Sequence, residues 1–205
     1  MLYLSGAIRP QLRHKRLGWM FSPNMGNRIP DDGLWALDNG CFSNSAIDVD
    51  RFLDHAMKRL KEAGERCLFI VAPDVPFQAK ETLERFAAWG QRVRNLAPVA
   101  LVSQDGMHSE DIPWRDVDAL FVGGSTGWKT GHESAEIVSI ARRWGKWVHM
   151  GRVNSQRRLF AAQSIGCDSA DGTYLKYGPD VNWPRLRSWL EAQEREPAMV
   201  LNWAT

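Results

Sequence analysis

Closely spaced cysteines are lacking: Cys41, Cys67 and Cys167 are scattered singly along the 205 residues. Neither a disulfide framework nor a CxxC zinc pair is present, and a reducing, cytoplasmic setting is expected. No apolar run approaches membrane-spanning length, so no membrane partner is expected. The opening Met1-Leu2-Tyr3-Leu4-Ser5-Gly6 has neither the basic leader nor the long apolar stretch of a signal peptide. Charge of one sign is also lacking. With 26 basic and 24 acidic residues, for a formal charge of +2, there is no polybasic nucleic-acid tail, and any affinity for nucleic acid has to come from a local arrangement of Lys and Arg. His14, His55, His108, His132 and His149 show no metal-ligand spacing, so packing or solvation is the default for each and neither metal nor cofactor is expected.

What the sequence does have is one pattern repeated. Short apolar runs end in a polar group beside Gly or Pro: Leu37-Asp38-Asn39-Gly40, Val71-Ala72-Pro73-Asp74, Val102-Ser103-Gln104-Asp105-Gly106, and Cys167-Asp168-Ser169-Ala170-Asp171-Gly172. Strands are expected at Leu2–Ser5, Trp19–Ser22, Leu34–Leu37, Cys67–Val71, Val99–Val102, Ala119–Val122, Trp147–Met150 and Cys167–Ala170. Helical spacing predicts helices from Asp48 or Asp50 to Ala63, Gln78 to Asn95, Ser134 to Trp144, Ser155 to Ala162 and Trp183 to Gln193. The stretch 194–205 has no strong pattern.

Eight short strands separated mostly by helices predict a compact (β/α)8 barrel formed by one domain, 1–205, with irregular first connections. The rival is a doubly wound open sheet, but the glycine-rich dinucleotide turn after its first strand is absent. In a barrel, Asp38, Asp74, Gln104, Gly123, Gly124, Met150, Gly151 and Asp171 all fall at the carboxyl ends of strands, where barrel chemistry resides. Each also has a plainer reading. An Asp before Gly or Pro serves turns and helix caps, Met150 fits a core, and Gly123-Gly124 fits a tight turn.

With the strand ends placed, the order of segments resembles the tRNA-guanine transglycosylase superfamily, including the 7-deazaguanine DNA transglycosylases, over roughly residues 34 to 175. Leu37-Asp38-Asn39-Gly40-Cys41-Phe42-Ser43 is similar to the family's Asp-Ser-Gly-Gly-Phe-Gln segment, and Pro73-Asp74-Val75-Pro76 to its base-recognition aspartate. Val102-Ser103-Gln104-Asp105-Gly106 resembles its Val-Gln-Gly-Gly segment and Phe121-Val122-Gly123-Gly124 its glycine-rich floor. His149-Met150-Gly151-Arg152-Val153 resembles Leu-Met-Gly-Val-Gly, and Gly166-Cys167-Asp168-Ser169-Ala170-Asp171 the nucleophile segment Gly-Ile-Asp-Met-Phe-Asp. There are departures. No cysteine follows Cys167 to build the tRNA enzymes' zinc cluster, the chain is shorter than those enzymes, Cys41 replaces a glycine and Ser43 a glutamine. No structural zinc is expected, and a reduced, phage-type DNA transglycosylase fits better than a tRNA enzyme.

The resemblance implies exchange of guanine in a nucleic acid, DNA ahead of tRNA, for a free 7-deazaguanine base. Asp171 would be the nucleophile and Asp38 the proton shuttle, while Asp74 and Gln104 meet the purine edge, the Gly123 and Gly124 amides approach the base, and Met150 and Gly151 form its floor. Arg152, Arg157, Arg158 and Lys176 flank the last two strands, where barrels often hold phosphate, and Lys129 beside Trp128 could touch the backbone. These cations fit a solvated surface equally well. Three further possibilities stay open: a nucleoside N-glycosidase or deoxyribosyltransferase, a non-catalytic nucleic-acid-binding subunit, and assembly with a second copy or a partner protein.

Overall fold

Short, mostly apolar segments of three to five residues, too short for helices and bounded by Gly, Pro and polar clusters, gain most by pairing edge to edge. A computed structural model describes residues 1–43 and 47–195 and places eight such segments in one closed parallel barrel, in chain order. They are β1 (Leu2–Ser5), β2 (Leu17–Phe21), β3 (Trp35–Leu37), β4 (Cys67–Val71), β5 (Val99–Ser103), β6 (Ala119–Val122), β7 (Trp147–Met150) and β8 (Ser169–Gly172). β1 pairs with both β2 and β8, which closes the ring. The helices are α1 (Val49–Ala63), α2 (Ala79–Arg94), α3 (Thr126–Lys129), α4 (His132–Arg143), α5 (Gln156–Ser164) and α6 (Pro179–Arg195). No described helix is long and apolar enough to cross a membrane.

Successive strand residues alternate between two cores. Leu4, Met20, Ala36, Phe69, Val71, Ala100, Val102 and Ala119 fill the barrel interior. Their neighbours, among them Tyr3, Trp19, Phe21, Trp35, Leu37, Ile70, Leu101, Leu120, Val148 and Met150, pack in the layer beneath the helices. Asp48 caps α1 by accepting from the Arg51 amide at 3.1 Å, and Ser155 caps α5 by accepting from the Arg158 amide at 3.4 Å.

The β1–β2 and β2–β3 connections contain no helix. Side chains do a helix's work in the second of them. Arg59, buried on α1, donates to the carbonyls of Asn27 (2.6 Å) and Met25 and lies over the Phe21 ring, 4.9 Å from its centroid. Glu62 accepts from the Ile29 amide at 2.6 Å, and Arg66 donates to the carbonyls of Pro30 (2.7 Å) and Gly33 (3.0 Å).

Several boundaries differ from expectation, those of β2, β8 and α6 most informatively. β2 begins at Leu17 because Leu17 and Gly18 pair with Tyr3 and Leu4, even though a basic run and a glycine read as loop. β8 lies two residues later than expected: pairing with β1 carries Asp171 and Gly172 into the strand opposite Leu4 and Ser5. α6 starts at Pro179, with Pro184 inside it, and Asn182 Nδ2 secures its first turn on the carbonyls of Tyr174 (2.9 Å) and Tyr177 (2.6 Å). α3 was not expected; Ser125 caps it by accepting from the Trp128 amide at 3.3 Å. The featureless stretch 194–205 lies outside the described residues from 196 onward.

At Gly18 the interior has no room for a side chain. A Cβ there would lie 2.6 Å from the Leu34 carbonyl oxygen and 2.7 Å from Leu4 Cδ2. Since backbone cannot step aside as a side chain can, Gly18→Ala is expected to cost about 1–3 kcal/mol. In urea the midpoint should fall at unchanged slope; an unchanged midpoint would show that β2 has room to shift.

Candidate active site

The carboxyl ends of the strands surround a pocket of about 200 Å³. That is below the roughly 300–1,000 Å³ of sites for drug-sized ligands and suits one small flat group. Met20, Val71, Val102 and Phe121 provide apolar lining, and Asp38, Asp74, Gln104, Gly123, Gly124, Arg152 and Asp171 share the same space. A larger hollow of about 490 Å³ opens at the opposite face, where strands begin, but its Arg13 and Asp32 are paired with each other at 3.1 Å.

Asp74 is buried and held from both sides. It accepts from Asn39 Nδ2 at 2.8 Å and from Gln104 Nε2 at 2.5 Å. Asn39 is fixed in turn, donating to the Ala72 carbonyl at 2.6 Å and accepting from the Cys41 amide at 2.8 Å. Gln104 Oε1 accepts from the Phe77 amide at 3.0 Å. Burial raises the pKa of Asp74 above its ordinary value, against the pull of the Asn39 and Gln104 hydrogen bonds. Each carboxylate oxygen keeps a further lone pair, and Gln104 Nε2 a second proton, for a ligand edge.

Asp38 stands at the end of β3, its residue half-buried and its carboxyl enclosed by protein. Burial, then the charges of Asp171 and Asp74, push it up to about 7, while the Gly40 and Asn39 amides pull the other way. Asp171 Oδ1 accepts from the Arg152 amide at 3.2 Å and lies 3.1 Å from His149 Nε2. The arrangement therefore sets a carboxyl that is part-protonated near neutrality across the pocket from a second carboxyl that accepts from the Arg152 amide.

Other expected residues are placed differently. Met150 packs among the helix-facing residues, because inward parity on β7 belongs to Trp147 and His149; it forms no floor to the pocket. Gly151 donates its amide to the Val122 carbonyl at 3.1 Å and accepts on its own carbonyl from Lys129 at 2.6 Å. Lys129 is thus turned inward, and burial followed by Arg152 lowers it to about 8; it does not reach the surface to meet a phosphate. The Gly123 amide is used by the Ser103 carbonyl at 3.0 Å, so of that pair only Gly124 can offer an N–H to a ligand. Arg152 belongs to the pocket wall, its guanidinium on the Gly124 carbonyl and over the Phe42 ring, 4.6 Å from the centroid. Arg157, Arg158 and Lys176 are exposed outside the pocket lining.

Sequence reasoning missed four contributors. Asn39, read as part of a turn, clamps Asp74. Phe42 and Phe77 stand exposed at the rim with ring centroids 6.0 Å apart. His149, treated as packing, touches Asp171, and its two-residue spacing from Trp147 was the available signal. Among the described residues no three His, Cys, Asp or Glu side chains gather to hold a metal ion.

Fold and site together define a (β/α)8 barrel with a carboxylate-lined pocket at its carboxyl-terminal mouth. No protein-family model matches the chain, and no curated protein matches it. Among solved structures it is similar to two point mutants of methylaspartate ammonia lyase from Clostridium tetanomorphum, at 15% and 14% identity, each with a TM-score of 0.44. Each alignment covers 82% of this chain and 45% of the lyase, so the chain spans less than half the length of those enzymes. A likeness this loose carries no functional argument.

The acidity of Asp38 gives a stability test. A carboxyl whose folded-state value is raised from 3.8 to about 7 contributes fully below its ordinary value, and that contribution is lost as pH rises through about 7. Asp38→Asn removes the buried charge, so it should stabilise the fold by roughly 3 kcal/mol at pH 8 and hardly at all at pH 4. Thermal unfolding at both pH values measures this; an equal difference at the two would contradict the raised value.

Proposed function

We propose that this protein is an enzyme, a base-exchange transglycosylase that replaces guanine in a nucleic acid with a 7-deazaguanine. The observation that carries the reading is the presence on one pocket of Asp38, raised to about 7, and Asp171, which accepts from the Arg152 amide and touches His149. Two acids with environments that separate their roles are what a double displacement at a sugar requires.

In the first displacement an Asp171 oxygen bonds to the anomeric carbon as the bond to the guanine ring nitrogen breaks, and Asp38 gives its proton to the departing base. In the second, Asp38 takes the proton of the incoming base, the new carbon–nitrogen bond forms, and the bonding pair to Asp171 returns to the carboxylate. Configuration is retained, and neither metal nor redox cofactor enters this scheme. The hydrogen-bonded Asp74–Gln104 pair suits a purine edge that presents N–H donors beside a carbonyl: the carboxylate accepts and the amide donates. Val71, Val102 and Phe121 supply apolar surface to the ring, and the Phe42 and Phe77 rims favour a flat aromatic guest. In a duplex the target nucleotide has to be extruded to reach such a pocket. Arg152 at the pocket, with exposed Arg157, Arg158 and Lys176 outside it, offers charge for the flanking phosphates. DNA is placed ahead of tRNA on the departures at Cys41 and Ser43 from the tRNA enzymes' pattern.

The test is incubation of the chain with isotope-labelled 7-deazaguanines and either DNA or tRNA, followed by nucleoside mass spectrometry. Labelled deazanucleoside in DNA with release of one guanine per base inserted is the expected result. Guanine release without incorporation would identify a hydrolytic N-glycosidase, and neither product with any base would remove the proposal.

A further inference from the structure

Inside the barrel, beneath the pocket, a line of hydrogen bonds runs to Asp171 through three side chains on two strands. Trp147 Nε1 lies 2.8 Å from Ser169 Oγ, Ser169 Oγ lies 2.8 Å from His149 Nδ1, and His149 Nε2 lies 3.1 Å from Asp171 Oδ1. His149 is fully buried, with Phe69 and Phe121 ring centroids 5.2 and 4.7 Å from its own.

The chemistry of the groups fixes the direction of the line. An indole N–H can only donate, so Ser169 Oγ accepts from Trp147. The hydroxyl proton of Ser169 then has His149 Nδ1 as its acceptor. Protonating Nδ1 instead would leave that hydroxyl proton unpaired in an apolar interior and, in the neutral ring, turn a bare Nε2 lone pair toward a carboxylate. The imidazole therefore carries its proton on Nε2 and donates it to Asp171.

We infer that His149, oriented by Ser169 and Trp147, is a positioning residue for Asp171 that makes Oδ2 the attacking oxygen and makes Asp171 a good leaving group. The inference rests on the proposed role of Asp171 as nucleophile. Both donors, the His149 Nε2–H and the Arg152 amide, fall on Oδ1, which leaves Oδ2 to bond to the anomeric carbon. In the covalent intermediate Oδ1 is the ester carbonyl oxygen. When the incoming base displaces Asp171, the bond from Oδ2 to the sugar breaks and its electron pair delocalises onto Oδ1, where two N–H groups already point. Because these donors stabilise the free carboxylate over the ester, they hold down the standing amount of adduct while keeping both displacements in line.

Two measurements on the full chain test this. Nitrogen NMR of histidine-labelled protein should show His149 with Nε2 protonated and Nδ1 bare, and Asp171→Asn should move the Nε2–H resonance more than Nδ1. Protonation at Nδ1 alone, or no response to Asp171→Asn, overturns the inference whatever the activity. In exchange assays with labelled nucleic acid, His149→Leu should lower kcat on the order of 10²-fold with KM for the base unchanged. The fraction of enzyme trapped as adduct on a denaturing gel should rise at the same time. His149→Gln, which can place an amide N–H near the same point, should recover at least part of the turnover. Parallel loss of adduct and turnover in both variants would reduce His149 to packing. If the unaltered chain exchanges no base, the transglycosylase reading falls, and the NMR result alone decides the hydrogen-bond line.

Discussion

The pairing of β1 with β8 is the constraint on which the rest depends. An open sheet of these eight strands would leave its first and last members at opposite edges; closure sets Leu4 beside Asp171 and Ser5 beside Gly172. It also lets the ends of β3, β4, β5 and β8 share one pocket, so that Asp38, Asp74, Gln104 and Asp171 meet despite their separation along the chain. The space at Gly172 is part of that closure. A Cβ there would strike Asn154 Oδ1, the Val153 carbonyl oxygen and the Tyr3 hydroxyl, so only glycine lets β8 run this close to its surroundings.

Closure brings three carboxyl groups onto one pocket, and electrostatics then divides their roles. Asp74 is surrounded by amide donors and is suited to binding. Asp38 bears the cost of the crowd: burial and the charges of its two neighbours favour its proton. Asp171 is met by His149 on β7 and by the amide of Arg152, two residues beyond that strand. Lys129, half a step behind on the Gly151 carbonyl, adds a cation to the same wall without lining the pocket. The division follows from where each side chain lies and needs no difference in residue type.

Much of this was legible from residue order because strand ends advertise themselves as apolar runs stopped by Asp, Gln, Gly or Pro. Asp38, Asp74, Gln104 and Asp171 were found that way and do face one pocket. Most of the failures concern which way a side chain turns. Met150 and His149 are adjacent on β7, and a shift of one residue exchanges core for pocket side. Taking the strand as a unit hid that His149, with Trp147, points inward. Lys129 looked like a surface cation because Trp128 and Lys129 sit between glycines, yet a short helix capped by Ser125 turns its ammonium onto a carbonyl. The start of α6 was expected four residues late, at Trp183, whereas Pro179 opens the helix and Pro184 lies inside it.

The central claim is that Asp171 bonds to the sugar while Asp38 moves the proton, and the two acids should therefore fail differently when altered. The most direct measurement is a denaturing gel of the chain mixed with end-labelled DNA or tRNA. Asp171→Ala should leave no covalent adduct, because the attacking atom is gone, whereas Asp38→Asn should still form one, slowly, with its proton transfer impaired. An adduct undiminished in Asp171→Ala and lost in Asp38→Asn would contradict the assignment and make Asp38 the nucleophile.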